Sequence, residues 1–588
     1  MKVRPAIRSV IRSVIRSTFG STLRAIPLLA LGLLPSCGGG AGAGVGGDAA
    51  GGGGGDAVSL PDAAVGGADA VVDGADAGAL PDVPFARPET PATYTPQPGN
   101  CGLAGPAFCD TFETGPAKGG RSGELDPARW SVVRGQPYSS ANFDDAIRIG
   151  PALIGQCRAE LSNARVLPDS DVLVCDPIAT IPSRHVLATA AAQNYGLATY
   201  RIRQPFDFAG RTGTIKLDME LTNNGLGGWP ALVIAQDPSP APSFDWQERG
   251  SGPRNGVEIE FATGWCNTPH TLEPIIYTFK DYVQTTYTPS FDCAIPHATT
   301  APNALNHIEV YLTQTHVEVW ASDVSPDGVT FPNLHMLWAG DVALPFSRGY
   351  VSLALRNHAT EKYWLGAAAT VRWDNVGFDG PVVTGWREYS APDSLTPYQG
   401  LAGCTMTGTA CQWMGDVIAA VPAEAGRVKC AQTMCPYDGG GRNVGYLVPN
   451  MDESVAPVAL HFSGVARGAA TRARLILAAN YPWFEWNNMF PPPTHLELRF
   501  RVNGGAWHDR FVSAIEANAF TDFFPALGGA GASAGLLNQA IDLTLAEVRD
   551  GDNLIELQAA GTWTGTYRVM VTGVDLVLDD QQPAPVKP

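Results

Sequence analysis

The segment Ile215-Lys216-Leu217-Asp218-Met219-Glu220-Leu221 alternates strictly between apolar and charged residues. Successive side chains of a β-strand point to opposite faces, so this pattern predicts a strand with one apolar and one polar face. The alternation recurs at Val257-Glu258-Ile259-Glu260-Phe261 and at 351–355, with Gly, Pro and Asn turns between such segments. We therefore predict antiparallel sheets that each bury one face.

The same pattern returns near the end of the chain. Apolar and charged residues alternate in the segment that contains Leu496, Leu498, Phe500 and Val502. The segments 541–545 and 574–578 show a similar apolar alternation. Gly551-Asp552-Asn553 predicts a tight turn that leads into a strand at 554–557. There is no long helical pattern and no repeat of solenoid length. The predicted fold class is all-β, with two antiparallel β-sandwiches of the jelly-roll type after a disordered N-terminal stalk.

The N-terminus has the form of an export signal. Residues 1–24 carry six basic residues and no acidic one, the apolar run 25–34 follows, and Leu34-Pro35-Ser36 precedes Cys37. Small residues followed by Cys resemble the lipobox of bacterial lipoproteins. This resemblance implies that residues 1–36 are removed and that Cys37 becomes an acylated N-terminus held in the lipid bilayer. An ordinary cleaved signal followed by a chance Cys is the alternative.

Residues 37–99 predict a disordered tether. The segment 38–56 is almost entirely Gly and Ala, and 57–99 is dominated by Ala, Asp, Val and Pro. Such sequences lack the large apolar residues that a packed core requires. Gly38 follows the predicted lipidation site, where an Asp would resemble an inner-membrane retention signal. We therefore expect an exported protein anchored at the outer membrane or cell surface.

Composition excludes some partners. The chain has 588 residues and a formal net charge of −18, and removal of the six-charge leader would lower this to about −24. Nucleic-acid binding requires clusters of Lys and Arg, so we expect no nucleic-acid partner. Length and pattern together predict a first sandwich at 100–383, a Cys-rich connecting region at 384–455 and a second sandwich at 456–588.

The cysteines also indicate export. Ten remain after Cys37 is set aside, and an even number suits a disulfide framework in an oxidising compartment. Pairing between neighbours in sequence is one expectation, although spacing alone does not fix it. A zinc site at Cys404, Cys411, Cys430 and Cys435 is the alternative, with spacings that suit a zinc ribbon poorly. The predicted neighbour pairs are Cys101/Cys109, Cys157/Cys175, Cys266/Cys293, Cys404/Cys411 and Cys430/Cys435.

The first block resembles the concanavalin A-like lectin/glucanase superfamily at both ends. Phe108-Cys109-Asp110-Thr111-Phe112-Glu113 with Leu125-Asp126-Pro127-Ala128-Arg129-Trp130 is similar to its opening motif, and 371–381 is similar to its closing strand. The resemblance implies that the first and last strands lie side by side and that Trp130 and Trp373 are buried. The superfamily contains lectins, hydrolases, lyases and inert modules, so activity has to be argued from the site.

Resemblance to the laminarinase-like hydrolases suggests a catalytic strand. In that group a nucleophile, a neighbouring carboxylate and a general acid follow one another on the concave face. Here Glu258 matches the nucleophile and Glu260 the middle position, but Ala262 and Thr263 stand where the acid is expected. Glu260 would have to act as the acid, since retaining hydrolysis needs two carboxyl groups across the scissile bond. We therefore expect non-catalytic binding and keep a divergent hydrolase as an alternative.

A binding site on the same concave face needs aromatic and polar side chains. Tryptophans give flat surfaces for sugar rings, and fixed polar groups recognise hydroxyls. The favoured partner is therefore a polysaccharide, although for any single tryptophan a place in the core is the favoured alternative. The alternative without any sugar site is a structural or adhesion protein. The candidate ligand-binding residues are Trp229, Trp246, Trp265, His270, Arg356 and His358.

Two further expectations concern calcium and the second block. Asp110, Glu113 and Asp374 would come together if the terminal strands pair, and oxygen ligands of this kind suit a structural calcium ion. The same residues are also ordinary turn formers. The second block resembles galactose-binding-like jelly rolls over 543–578, and 481–486 is a dense aromatic segment suited to recognition or to docking of a partner.

Overall fold

The computed structural model describes the main β-structure of the chain. All described residues belong to one compact unit, 72–588. No helix among them is long and apolar enough to cross a membrane. The predicted signal and Cys37 lie outside the described residues. The described residues are 84–87, 93–95, 99–117, 124–135, 157, 171–190, 196–221, 228–238, 253–263, 271–281, 283–287, 298–357, 369–391, 405–407, 410–413, 416–421, 427–430, 446–448, 457–480, 497–511, 537–559 and 569–580.

The first sandwich contains eighteen strands among the described residues. They are β1 (Thr93–Tyr94), β2 (Pro106–Asp110), β3 (Trp130–Gly135), β4 (Asp171–Cys175), β5 (His185–Ala190), β6 (Gly196–Ile202), β7 (Phe206–Asp207), β8 (Gly213–Glu220), β9 (Gly228–Ala235), β10 (Gly256–Thr263), β11 (Leu272–Lys280), β12 (Val283–Tyr287), β13 (Asn306–Leu312), β14 (His316–Ala321), β15 (Phe331–Pro332), β16 (His335–Asp341), β17 (Arg348–Asn357) and β18 (Ala369–Asp379).

Sixteen of these strands form two eight-stranded sheets, and β1 and β15 form a separate two-stranded sheet. The first, the hollow sheet, has the order β12-β11-β10-β9-β17-β6-β3 with β7 beside β17. The second, the outer sheet, has the order β16-β14-β13-β8-β18-β5-β4 with β2 beside β18. The apolar residues of the alternating segments, such as Leu217, Ile259 and Leu353, pack between the sheets in one core. The all-β prediction is confirmed, and the predicted core faces are the observed ones.

The ends of the first sandwich meet as the sequence motifs predict. β2 and β18 pair antiparallel, with Phe108 opposite Phe378. Trp130 and Trp373 are both buried in the core. Disulfides join Cys101 to Cys109 and Cys157 to Cys175, which confirms two of the predicted pairs. Their presence indicates an oxidising, exported location.

The last part of the predicted tether packs against the outer sheet. β1 pairs with β15, and the Tyr94 ring stacks on His307 with centroids 3.7 Å apart. Upstream, the Phe85 ring meets the edge of His316 at 4.7 Å, and Arg87 lies over the Trp320 ring at 3.8 Å. The prediction of a disordered stalk up to residue 99 is therefore wrong for this stretch. We call residues 84–87 and 93–95 the strap.

The second sandwich begins earlier than the predicted boundary at residue 456. Its sheets have the orders β19-β31-β26-β29, with β24 beside β31, and β25-β30-β27-β28. A short 3-10 helix, Leu545–Glu547, follows β29. The strands are β19 (Arg387–Ser390), β24 (Tyr446–Val448), β25 (Val458–Val465), β26 (Arg472–Asn480), β27 (Glu497–Val502), β28 (His508–Phe511), β29 (Leu537–Leu543), β30 (Gly551–Ala559) and β31 (Val569–Asp579).

The sequence pattern located most of the second core. Leu498, Phe500, Ile541, Leu576 and their neighbours pack in one cluster between its two sheets. The predicted turn at 551–553 is wrong, because β30 already begins at Gly551. The turn falls just before it, and Gly551 has a positive φ of 89° that suits glycine.

A separate four-stranded antiparallel sheet occupies part of the Cys-rich connecting region. Its order is β20-β21-β22-β23. Cys411 on β21 and Cys430 on β23 both lie opposite Ile418 on β22. The strands are β20 (Thr405–Thr407), β21 (Ala410–Trp413), β22 (Asp416–Val421) and β23 (Arg427–Cys430). Cys266, Cys293, Cys404 and Cys435 lie outside the described residues, so the three remaining disulfides and the zinc alternative stay predictions.

Candidate functional site

The hollow face is the face of the hollow sheet that points away from the core. Val257, Ile259 and Phe261 of β10 enter the core, so Glu258 and Glu260 share the hollow face, as predicted. The Tyr277 hydroxyl on β11 donates a hydrogen bond of 3.2 Å to Glu260 Oε2. Both carboxylates are 0% exposed, and Ala262 beside them is 2% exposed. The prediction that this acid pair faces an open groove is therefore wrong.

The predicted ligand-binding residues are only partly placed. Trp229 on β9 and Arg356 on β17 lie directly opposite each other in the strand register. The remaining candidates, Trp246, Trp265, His270 and His358, lie outside the described residues. The structure thus brings one of the predicted tryptophans next to the predicted arginine along the backbone, one strand away from β10.

The second sandwich contacts the hollow face at β3 and β6. Ser131 of β3 donates a hydrogen bond of 2.8 Å to Asp575 of β31. Arg201 of β6 donates to both carboxylate oxygens of Glu388 on β19, and its Nη2 lies 3.4 Å from Asp575. The side chains of Arg201, Glu388 and Asp575 are at most 2% exposed. Because the charges are shielded from water, this contact fixes the two sandwiches to each other.

Charge complementarity explains why the buried Arg201 stays ionised. Burial alone would lower the pKa of Arg201, but the Glu388 carboxylate raises it above its usual value, and Asp575 adds to the effect. At the same interface Arg474 bridges Asp237 of the first sandwich and Asp579 of the second.

An aromatic contact lies beside these ion pairs. The Tyr350 and Trp386 rings meet with centroids 4.7 Å apart. Burial raises the pKa of Tyr350 well above its usual range, so its hydroxyl stays neutral. The two sandwiches therefore meet through both charged and aromatic groups.

A cleft of about 440 Å³ opens where the sandwiches meet. We call it the junction cleft. One wall comes from β2 and the turn before β3, and the opposite wall comes from the residues that lead into β19. Its lining residues are Pro106, Ala107, Phe108, Cys109, Ala128, Arg129, Arg203, Gln204, Trp386 and Glu388. None of its polar residues was predicted, because Arg203 and Glu388 are far apart in sequence and neither belongs to a motif.

The polar groups of the junction cleft are held in place by the protein. Arg129 Nη1 lies 3.2 Å from Asp110 Oδ2, and its guanidinium lies over the Phe108 ring. Arg203 Nη1 lies 2.8 Å from Glu388 Oε1, and Arg203 Nε donates a hydrogen bond of 3.1 Å to the Trp130 carbonyl. Each arginine faces a carboxylate, so the wall is rich in donors and acceptors but carries little net charge.

Trp386 lines the junction cleft, but its N–H does not open into it. Its Nε1 is buried and has no acceptor among the described residues. A buried donor without an acceptor costs about 1–3 kcal/mol.

The predicted calcium site is not assembled. Asp110 accepts hydrogen bonds from the Trp130 indole and the Phe112 amide, and Glu113 accepts one from the Arg184 amide. Asp374 is hydrogen-bonded to Ser183, and burial together with the charge of Asp218 raises its pKa well above the usual range. No group of three or more His, Cys, Asp or Glu residues in the described part of the chain could hold a metal ion.

The outer sheet carries a second set of buried charges. His307 Nδ1 lies 2.6 Å from Asp218 Oδ1, and its Nε2 lies 3.2 Å from Glu309 Oε1. Lys216 Nζ is 2.6 Å from the same Glu309 oxygen. Burial acts to lower the pKa of His307, but the hydrogen bonds to both carboxylates raise it. The Tyr94 ring of the strap covers this cluster.

The chain is similar to solved structures of sugar-recognising proteins. A glycoside hydrolase family 16 endo-glucanase from Bacteroides ovatus aligns over 46% of this chain and 99% of its own, at 12% identity and a TM-score of 0.27. The Emp47p carbohydrate recognition domain aligns over 44% and 100%, at 12% identity and a TM-score of 0.23. The VIP36 exoplasmic/lumenal domain, solved with Ca²⁺ and Man3GlcNAc, aligns over 37% and 86%, at 14% identity and a TM-score of 0.23.

The remaining comparisons found no relatives. No protein-family model matches the chain, and no curated protein matches it. At the identities and TM-scores given above, the structural alignments carry no conclusion about what this chain binds. Its function therefore has to follow from its own residues.

Proposed function

We propose that the protein is an exported, lipid-anchored carbohydrate-binding protein that does not cleave its ligand and holds a neutral sugar in the junction cleft. The observation that carries this proposal is the cleft's chemistry. Arg129, Arg203, Gln204 and Glu388 offer donors and acceptors, and Trp386 adds an aromatic side chain to the lining. A volume of about 440 Å³ lies within the usual range for small-ligand sites.

The charge balance favours a neutral ligand over an ion. In and beside the junction cleft, the positive Arg129 and Arg203 are matched by Asp110 and Glu388 at 3.2 and 2.8 Å. A polyanion would find no surplus of cations in the cleft, and a cation would find no surplus of carboxylates. Hydroxyl groups both donate and accept, so a sugar satisfies such a wall without adding charge.

The acid pair on the hollow face supports binding without hydrolysis. General acid catalysis requires a carboxyl group within hydrogen-bond reach of the leaving oxygen. Glu258 and Glu260 are 0% exposed, and Ala262 and Thr263 supply no third carboxyl group. The divergent laminarinase-like hydrolase is therefore the less favoured alternative.

Lipid anchoring is supported by the sequence before Cys37 and is consistent with the two disulfides. When the protein is expressed in a bacterial host, we expect it to incorporate labelled fatty acid. We also expect it to enter the detergent-rich phase in a detergent phase-separation experiment. Cys37→Ser should abolish incorporation, whereas Cys157→Ser, a control at a disulfide, should not. Incorporation by the Cys37 variant would contradict the assignment.

The binding site is tested with neutral oligosaccharides on a glycan array and by calorimetry with those that bind. Trp386→Phe keeps a ring beside Tyr350 but removes part of the indole surface that lines the junction cleft, so we expect affinity to fall about tenfold. Gln204→Ala should weaken binding similarly. Trp320→Phe, on the outer sheet, is the matched control and should leave affinity unchanged.

The same assay separates the alternatives. Glu258→Gln and Glu260→Gln should bind as the unmodified protein does, because their carboxylates lie under the surface. If these variants lose binding while Trp386→Phe keeps it, the site lies on the hollow face. If no neutral glycan binds the unmodified protein, the proposal fails and the structural or adhesion alternative is favoured.

A further inference from the structure

The second sandwich carries an aromatic and basic surface that the junction cleft does not involve. Trp507 lies in the hairpin between β27 and β28, after the exposed residues Gly504, Gly505 and Ala506. The guanidinium carbons of Arg499 and Arg501 lie 4.4 and 4.7 Å from the Trp507 ring centroid. Since Leu498, Phe500 and Val502 of β27 enter the core, both arginines point to the opposite face. We call Trp507, Arg499 and Arg501 the Trp507 patch.

Cross-strand partners on β30 fix the two guanidinium groups. Arg501 lies opposite Glu556 in the register and makes a two-point contact of 2.5 and 2.7 Å with its carboxylate. Arg499 lies opposite Gln558, whose amide oxygen accepts hydrogen bonds of 3.1 and 2.5 Å. Both guanidinium planes are therefore oriented before any ligand arrives, which lowers the entropy lost on binding.

The two arginines differ in their hydrogen-bond partners. Glu556 neutralises Arg501, but Gln558 is neutral, so the charge of Arg499 is not cancelled by its hydrogen-bond partner. Arg499 donates to Gln558 through Nε and Nη2, and its Nη1 has no acceptor among the described residues. Asp509 lies across from Arg499 on β28 but forms no ion pair with it among the described residues. A ligand carboxylate fits this available donor.

We infer that the Trp507 patch binds a uronic-acid residue of an acidic polysaccharide, with the sugar ring against the Trp507 indole and the carboxylate at Arg499. An aromatic platform beside an oriented guanidinium matches one sugar ring that carries one carboxylate. This ligand class differs from the neutral sugar proposed for the junction cleft. The chain would then hold two kinds of sugar at two places on one molecule.

The test measures binding of the whole protein to polygalacturonate and to its methyl ester, at low and at high salt. The two polymers share the ring and differ in the charge. We expect polygalacturonate to bind more tightly than the ester, by about tenfold at low salt, and the difference to shrink at high salt. Equal binding of both polymers, or no binding of polygalacturonate, would overturn the inference.

Substitutions within and beside the Trp507 patch should change the affinity for polygalacturonate in opposite directions. Arg499→Gln and Trp507→Ala should each weaken polygalacturonate binding about tenfold, whereas Glu556→Gln should strengthen it because a negative charge is removed. Trp320→Ala removes a comparable Trp–Arg contact on the first sandwich and should change nothing. If Trp507→Ala lowers the melting temperature, its loss of binding could reflect misfolding. The affinity of Arg499→Gln for polygalacturonate then tests the inference.

The two proposals fail separately. Binding of neutral glycans should depend on Trp386 and not on Arg499, and binding of polygalacturonate should show the reverse. Loss of both by Trp386→Phe would place a single site in the junction cleft and overturn the inference about the Trp507 patch.

Discussion

The hollow face and the outer face of the first sandwich both bury charged residues, but they use them differently. On the hollow face, Arg201 pairs with Glu388 and Asp575 of the second sandwich. On the outer face, Arg372 pairs with Glu220 of its own sheet, and the strap lies over the neighbouring His307 cluster. The same chemistry thus holds two sandwiches together on one side and stabilises a single sheet on the other.

This difference teaches that a polar face in sequence does not identify a solvent-exposed face. Asp218, Glu220, Glu258 and Glu260 alternate with core residues as surface residues do, yet all four are 0% exposed. A binding site should therefore be sought where the covering elements leave a gap, as at the junction cleft.

Breaking the contact on the hollow face should have the largest effect. Arg201→Met leaves Glu388 and Asp575 buried with less compensating charge, which should lower the free energy of unfolding by about 5 kcal/mol. Urea unfolding measures the loss, and small-angle scattering should show a larger radius of gyration as the sandwiches separate. Arg472→Met, at a partly exposed ion pair with Asp542, is the control and should cost under about 1 kcal/mol. An unchanged radius would show that the contact does not hold the sandwiches together.

Breaking the Arg372–Glu220 ion pair on the outer face should destabilise the protein without separating the two sandwiches. Arg372→Met removes the cation beside Glu220 and a hydrogen bond of 3.3 Å to Asn303, so we expect a loss of about 4 kcal/mol. The radius of gyration of the folded protein should stay unchanged. Arg254→Met, at an exposed pair with Asp281, serves as the control. If the Arg372 variant also separated the sandwiches, the buried charges of the two faces would not have the different roles described above.

His185, on β5 of the outer sheet, should make the free energy of unfolding depend on pH. This effect should be somewhat smaller than the effects of the two arginine substitutions. The pKa of His185 is lowered to about 4, mainly by burial and also by the charge of Arg372, while the hydrogen bond to Ser183 and the charge of Asp176 act in the opposite direction. The unfolded chain binds this proton near pH 6.5, so stability falls as the pH drops from about 6.5 to about 4. The contribution reaches at most about 3 kcal/mol, since each pH unit is worth about 1.4 kcal/mol.

His185→Phe should remove that part of the pH dependence. Urea unfolding across this pH range measures it, and His461→Phe, at an exposed position of β25, is the control. A variant that keeps the full slope would assign the pH dependence to other groups, such as carboxylates.

Sequence periodicity determined the fold far better than it determined the site. Alternation located the cores of both sandwiches, and the terminal motifs predicted the pairing of β2 with β18, because these features depend on local side-chain direction. The junction cleft depends on how Arg203 and Glu388, 185 positions apart, come together when the sandwiches dock. No local pattern marks such a pair. The packing of the strap could not be predicted for the same reason. It depends on a contact between Tyr94 and His307, which are far apart in sequence.

The strap and the second sandwich pack on different sheets of the first sandwich. Tyr94 of the strap contacts the outer sheet, whereas the second sandwich contacts the hollow sheet through Arg201. Release of the strap should therefore leave the contact between the sandwiches in place, and loss of that contact should leave the strap on the outer sheet.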